Sequence, residues 1–296
     1  MNRLKCWIEA MRLRTLPVST AGVAAGVAYC VSDGCFLWAP SLICLIFALL
    51  AQIASNFANE YYDFKNGLDR AGREGPRRGV TEGDISPNAM KLATYLTIAA
   101  ACVLGLSLIC WGGWQLIFVG ALIAVGVVAY SSGPYPLSHH ALGEVAVVFF
   151  FGIIPVIFTY YIQSREISPA VALGSIAVGL MGANVLLVNN YRDADDDRAV
   201  GKTTVAVKFG RGVASALYLA NGIVAAAIMA PQWADGQSAA WLAVPVLYII
   251  LHVVLWIRIN RSRGAKLNPM LGATSMLMLL YSLAFLAKST LSGLPK

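Results

Sequence analysis

Two acidic stretches interrupt an otherwise apolar chain. The first reads Asn59-Glu60-Tyr61-Tyr62-Asp63-Phe64-Lys65-Asn66-Gly67-Leu68-Asp69, and the second Asn189-Asn190-Tyr191-Arg192-Asp193-Ala194-Asp195-Asp196-Asp197-Arg198. Each closes a long apolar run. Carboxylates at the end of a membrane helix are costly to desolvate, so they are functional candidates by default. Residues four apart share a helix face. Asn59 and Asp63 therefore align, and so do Asn189, Asp193 and Asp197. Gly67 is expected to turn the chain and bring Asp69 back to the same place. Asp195 and Asp196 fall off the second stripe and are expected to face water or a neighbour. The ligand set this predicts is Asn59, Asp63 and Asp69 opposite Asp193 and Asp197, with Asn189 or Asn190 in support. Hard oxygen ligands suit Mg²⁺, and Mg²⁺ at a membrane surface suggests a phosphate-bearing substrate. Lys65, Arg77, Arg78, Arg192 and Lys202 lie nearby in sequence. They offer bidentate or point-charge contacts to phosphate oxygens. Carboxylates, metal and cations together would stabilise charge on a departing diphosphate. If the substrate were allylic, the cation left behind would need a dry pocket with π-faces. Tyr130, Tyr61, Tyr62, Phe149, Phe150, Phe151, Tyr160 and Tyr161 are candidate walls.

The elements that must position these residues are membrane helices. Of the 296 residues, 58% are hydrophobic and 12% charged, with a mean hydropathy of +0.68. A soluble domain carries about twice that charge. Nine stretches approach the ~20 apolar residues that a bilayer span needs: roughly 15–31, 36–58, 92–110, 115–130, 145–162, 168–190, 213–231, 239–257 and 268–287. Trp111-Gly112-Gly113-Trp114 reads as an interfacial turn between the third and fourth. Continuous runs of this length argue against an outer-membrane barrel. The basic amino terminus is read as a retained first helix, since no small-residue cleavage site follows. The expected fold is an all-α polytopic bundle of nine transmembrane helices around a central cavity, in a single domain spanning 1–296. With the amino terminus in the cytoplasm, only Arg165, Lys288 and Lys296 of the 22 basic residues fall outside. That bias sets the orientation and accounts for the net charge of +7 without nucleic acid. Both acidic stretches then end on the cytoplasmic face, in the long loops 59–91 and 190–212. Gly72, Gly75, Gly79 and Gly83 would let the first of these loops move.

Other features carry blander expectations. His139-His140 reads as a solvated loop, because adjacent residues on a helix diverge. His252 reads as a helix-packing residue, and Gly133-Pro134-Tyr135-Pro136 as a rigid loop. The six cysteines have no paired C-x-x-C spacing. Cys30 and Cys35 are expected as free thiols, although an oxidising compartment would permit a bridge.

The chain resembles the UbiA-type intramembrane aromatic prenyltransferases. The likeness rests on Asn59-x-x-x-Asp63-Phe64-x-x-Gly67-x-Asp69, Gly75-Pro76-Arg77-Arg78, Tyr130-x-x-Gly133-Pro134-x-Pro136-Leu137 and Leu142-Gly143-Glu144. It continues through Asn189-Asn190-x-Arg192-Asp193-x-x-x-Asp197-x-x-x-Gly201-Lys202-x-Thr204, with a weaker match at Arg14-Thr15-Leu16-Pro17. Glu60 departs from the family, where Asp is common. The resemblance implies nine helices, Mg²⁺ on both Asp motifs and a polyprenyl diphosphate donor. It gives the metal role to Asn59, Asp63, Asp69, Asp193 and Asp197, and diphosphate contacts to Lys65, Arg77, Arg78 and Lys202. The wide spacing from Asp63 to Asp69 is similar to the naphthoate branch. That branch implies transfer to 1,4-dihydroxy-2-naphthoate with loss of its carboxylate, giving demethylmenaquinone in a bacterial inner membrane. Arg12 and Arg14 sit where an acceptor carboxylate would be met, and anchoring to the membrane explains them equally. Two alternatives remain open at this level. One is another acceptor, such as 4-hydroxybenzoate or homogentisate. The other is a Mg²⁺-gated transporter, which would place its polar residues at mid-membrane.

Overall fold

A computed structural model describes residues 3–70, 75–234 and 238–292. Gly72, Arg73 and Lys296 lie outside the described residues. Within them the chain is helical and forms no strand. The helices in order are α1 (Arg3–Ala10), α2 (Leu16–Ser32), α3 (Trp38–Lys65), α4 (Pro87–Ser107), α5 (Ile109–Gly112), α6 (Leu116–Ala129) and α7 (Gly143–Val147). They continue with α8 (Ile154–Ser164), α9 (Pro169–Ala199), α10 (Val205–Lys208), α11 (Gly210–Trp233), α12 (Ala243–Asn260) and α13 (Asn268–Ser292). A π-helical turn, Val148–Ile153, joins α7 to α8. Local chemistry sets the boundaries. Ser86 and Ser168 cap α4 and α9, each accepting from the backbone N–H three residues on, with Pro at the first helical position. At the expected interfacial turn α5 stops at Gly112, Gly113 takes φ 85°, and Trp114 is exposed.

Among the described residues eight helical segments are long and apolar enough to cross a membrane. The first, Arg3–Ser32, is bent at Arg12. The stretch 115–130 forms α6, which has only 14 residues. At 1.5 Å per residue it spans about 21 Å, short of a ~30 Å hydrocarbon core. Both long loops are shorter than their sequence boundaries suggest. α3 runs through Lys65 and α9 through Ala199, so Asn59, Asp63, Asp193 and Asp197 are helical.

The two sides of the bundle pack differently. α2, α8, α9, α11, α12 and α13 share the main hydrophobic core. Small residues let backbones touch there: a Cβ on Gly152 would lie 2.3 Å from the Gly179 Cα. His252 is buried between the rings of Tyr218 and Tyr248, with Nε2 3.0 Å from the Tyr218 carbonyl, the packing role expected of it. All six cysteines are free thiols. On the other side α2, α3, α4, α6 and α8 enclose a chamber of about 350 Å³. Residues of α9 to α13 do not line it, so the cavity belongs to the first half of the chain rather than to all the spans. Of the candidate walls, Tyr130, Phe150 and Phe151 line it, joined by Phe158. Tyr61, Tyr62, Phe149, Tyr160 and Tyr161 do not. Tyr160, for example, instead donates to Asp33 Oδ2 at 2.6 Å near the other end of α2.

Candidate active site

The first motif forms at a helix end that glycine shapes. Gly67 takes φ 69°, its N–H donates to the Phe64 carbonyl at 3.0 Å, and the Leu68 N–H donates to the Asp63 carbonyl at 2.8 Å. This left-handed C-terminal turn reverses the chain. It returns Asp69 beside Asp63, as the glycine implied, and both line one small hollow. Asp63 is 2% exposed. Its Oδ2 accepts from Asn59 Nδ2 at 3.1 Å and lies 3.6 Å from Lys202 Nζ and 4.0 Å from the Arg78 guanidinium. Its Oδ1 faces His139 Nε2 at 3.5 Å and accepts no hydrogen bond. Asn59 is fully engaged. Its Oδ1 accepts from Arg12 at 2.6 Å and Arg78 at 3.1 Å, and its Nδ2 also donates to Ser131 Oγ at 3.0 Å. With two guanidinium groups on its only oxygen, Asn59 ties Arg12 and Arg78 into the cluster.

The second motif divides. Asp197 reaches the hollow, together with Asp196, Arg70 and Lys202. Asp196 pairs with a neighbour, Arg70, one of the two surroundings expected of it. Asp193 is one turn deeper, about 6 Å along the axis. There Arg192 grips it with two hydrogen bonds of 2.7 and 2.8 Å. The same guanidinium donates to Asn189 Oδ1 at 2.7 Å and Asn268 Oδ1 at 2.8 Å. Arg192 thus ties Asp193 to Asn189 and Asn268. Asn190 donates to Glu144 Oε1 at 2.8 Å, so its amide supports α7 rather than the hollow. Asp195 is 72% exposed and pairs with Arg211.

The expected cations also separate. Arg78 is 8% exposed and enters the cluster, with Nε 3.5 Å from Asp69 Oδ2. Arg77 turns to Asp84 at 2.6 Å within its own loop. Lys65 is exposed, because two residues from Asp63 it points about 200° around the helix. Residues not anticipated in the site complete it. Glu60 is buried and accepts from the Val80 N–H at 3.0 Å, which fixes the loop that delivers Arg78. His139 abandons its solvated loop because the backbone there pairs with the second motif's loop: Ala141 N–H to Thr203 carbonyl at 2.7 Å, Thr203 N–H to His139 carbonyl at 3.1 Å. Neither contact is visible as a spacing pattern. Tyr130 links cluster and chamber. It lines the chamber while its neighbour Ser131 holds Asn59.

The donor set suits a metal–diphosphate better than a bare ion. Four carboxylates line the hollow, and Asp63 keeps an unbonded oxygen. Yet among the described residues no three His, Cys, Asp or Glu side chains converge into a cage. Mg²⁺ commonly takes one or two carboxylates, with substrate phosphates and water completing its octahedron. Cations on the rim answer the phosphate charge.

A polytopic helical bundle thus carries a cluster of acidic and basic side chains at one end and an apolar chamber on one side. A profile of the UbiA prenyltransferase family matches residues 19–286, and the chain belongs to that family. It is 37% identical to a 1,4-dihydroxy-2-naphthoate octaprenyltransferase of Escherichia coli over 216 residues, covering 71% of this chain and 70% of the relative. A Haemophilus influenzae protein of the same name is 31% identical, covering 96% and 95%. The fold is similar to a UbiA homologue of Archaeoglobus fulgidus bound to DMAPP and Mg²⁺, with TM-score 0.67, 14% identity, and 95% and 99% coverage. It is also similar to the apo UbiA homologue of Aeropyrum pernix, with TM-score 0.68, 16% identity, and 95% and 98% coverage.

Proposed function

We propose that this protein transfers a polyprenyl group from polyprenyl diphosphate to 1,4-dihydroxy-2-naphthoate. The observation that carries this is the shared hollow: Asp63 and Asp69 meet Asp196 and Asp197 there, with Lys202 on its rim, beside a chamber lined by apolar residues. The naphthoate relatives support the acceptor. Mg²⁺ would be held by one or two of the carboxylates that line the hollow, Asp63, Asp69, Asp196 and Asp197, and would supply Lewis-acid stabilisation of the leaving group. Lys202, Arg78 and Arg12 answer the diphosphate's remaining charge. The donor's C1–O bond breaks, diphosphate departs, and a carbon–carbon bond forms to the electron-rich ring. Carbon dioxide leaves the ring, giving the quinol form of demethylmenaquinone. The chamber would keep water from the allylic cation, and Tyr130, Phe150 and Phe151 in its lining would supply π-systems to stabilise it. The cluster lies at one end of the bundle, which argues against the transporter alternative. The basic residues around that end support a cytoplasmic site in a bacterial inner membrane. Purified protein incubated with a prenyl diphosphate, Mg²⁺ and a panel of aromatic acids tests the reading. A prenylated, decarboxylated naphthoate is the expected mass. Product from 4-hydroxybenzoate or homogentisate alone would replace the acceptor, and no product from any acid would overturn the reaction.

A further inference from the structure

The chain enters the bundle through a bend that apolar composition does not call for. α1 ends at Ala10, and Arg12 takes φ 53°, ψ 57°. A residue with a side chain persists in this left-handed region only where its surroundings over-determine it, and such outliers gather at functional sites. In a continuous helix the Met11 carbonyl would accept from the Thr15 N–H. That N–H instead donates to the Arg12 carbonyl at 2.9 Å. Backbone carbonyls released inside a membrane protein must find other donors.

Three buried side chains from two other helices donate to carbonyls around the bend. Asn56 Nδ2 donates to the Met11 carbonyl at 2.9 Å, and Gln52 Nε2 to the Thr15 carbonyl at 2.7 Å. Ser275 Oγ lies 2.7 Å from the Arg14 carbonyl and 2.9 Å from that of Gly272. Ser19 orients Gln52 by donating to its Oε1. Gln52, Asn56 and Asn59 share one face of α3 at i, i+4 and i+7. One helix face therefore holds the bend and carries the residue that Arg12 meets, 2.6 Å from Asn59 Oδ1.

We propose that Gln52, Asn56 and Ser275 are positioning residues: they hold the bend so that Arg12 presents its guanidinium to the diphosphate site. The proposal rests on the diphosphate reading of that site. Their role is to aim a charge, and that separates them from residues that merely pack the bundle. Residues acting through a shared partner are non-additive, which supplies the test. Inorganic diphosphate is titrated by calorimetry, with Mg²⁺ present, into the purified full chain and into Gln52→Met, Asn56→Leu, Ser275→Ala, Arg12→Ala and the doubles with Arg12→Ala. Each of the Gln52, Asn56 and Arg12 single variants is expected to weaken binding roughly five- to tenfold, with a smaller effect for Ser275. Each double should bind no more weakly than Arg12→Ala alone. Multiplying effects, or single variants that bind as the native chain does, would overturn the proposal while leaving the diphosphate reading intact. A native chain that binds no diphosphate would remove both. If Gln52→Met is not monodisperse, the Asn56 and Ser275 cycles decide.

Discussion

The two acidic motifs share a spacing, Asn-x-x-x-Asp at the end of an apolar helix, yet they hold their charge in opposite ways. Asp63 draws its partners from other segments: the cations Lys202 after α9 and Arg78 in the loop after α3, and the His139 imidazole after α6. One of its oxygens stays without a hydrogen bond. Asp193 is gripped by the residue before it in the chain. Tyr62 occupies the corresponding place beside Asp63 and puts no charge there. The difference teaches that spacing chooses a helix face, whereas the flanking residue decides whether a carboxylate arrives poised or already neutralised. Asp193 is linked through Arg192 to Asn268 at the start of α13.

This contrast can be broken at several points. The largest effect is expected at Asp63→Asn, which should lower prenyl transfer by about a hundredfold or more, as losing a main electrostatic group does. Radiolabelled product formation measures it. Asp193→Asn should act less through chemistry than through the pair it leaves behind. Arg192→Leu exposes that pair most clearly, because an uncompensated buried carboxylate costs about 3 kcal/mol or more. Its melting midpoint should fall sharply, and Arg192→Leu with Asp193→Asn should recover part of the loss. Adjacent arginines give a smaller contrast. Arg78→Gln should weaken diphosphate binding roughly tenfold, in the range of a lost charge-assisted hydrogen bond, while Arg77→Gln stays near native. The smallest effect belongs to Asp195→Asn, expected within about 0.5 kcal/mol of native stability and with unchanged turnover.

Much of this was legible in the amino-acid pattern, for physical reasons that also explain the remainder. Hydropathy placed the helices because a bilayer demands about 20 apolar residues of any span. It overstated α6, where Gly113 and the Ser131-Ser132-Gly133-Pro134 run cut the helix short at both ends. Helical period picked out Asp63 and Asp197, and the glycine at 67 brought Asp69 to the same hollow. It missed Asp196, because a strict four-residue stripe drifts around the helix and leaves its neighbour facing the same hollow. No periodicity separates Arg77 from Arg78. That choice is made by Glu60 pinning the Val80 amide. His139 was out of reach because a pairing between loops more than 60 residues apart carries it inward.

The central claim is that two motifs distant in sequence make one site for a metal-bound diphosphate. Mn²⁺ in place of Mg²⁺, followed by electron paramagnetic resonance during a diphosphate titration, tests this most directly. The account predicts weak Mn²⁺ binding alone, tight binding once diphosphate is added, and loss of the tight state in both Asp63→Asn and Asp197→Asn. Tight Mn²⁺ binding without diphosphate, or an Asp197→Asn variant that retains the native signal, would contradict it.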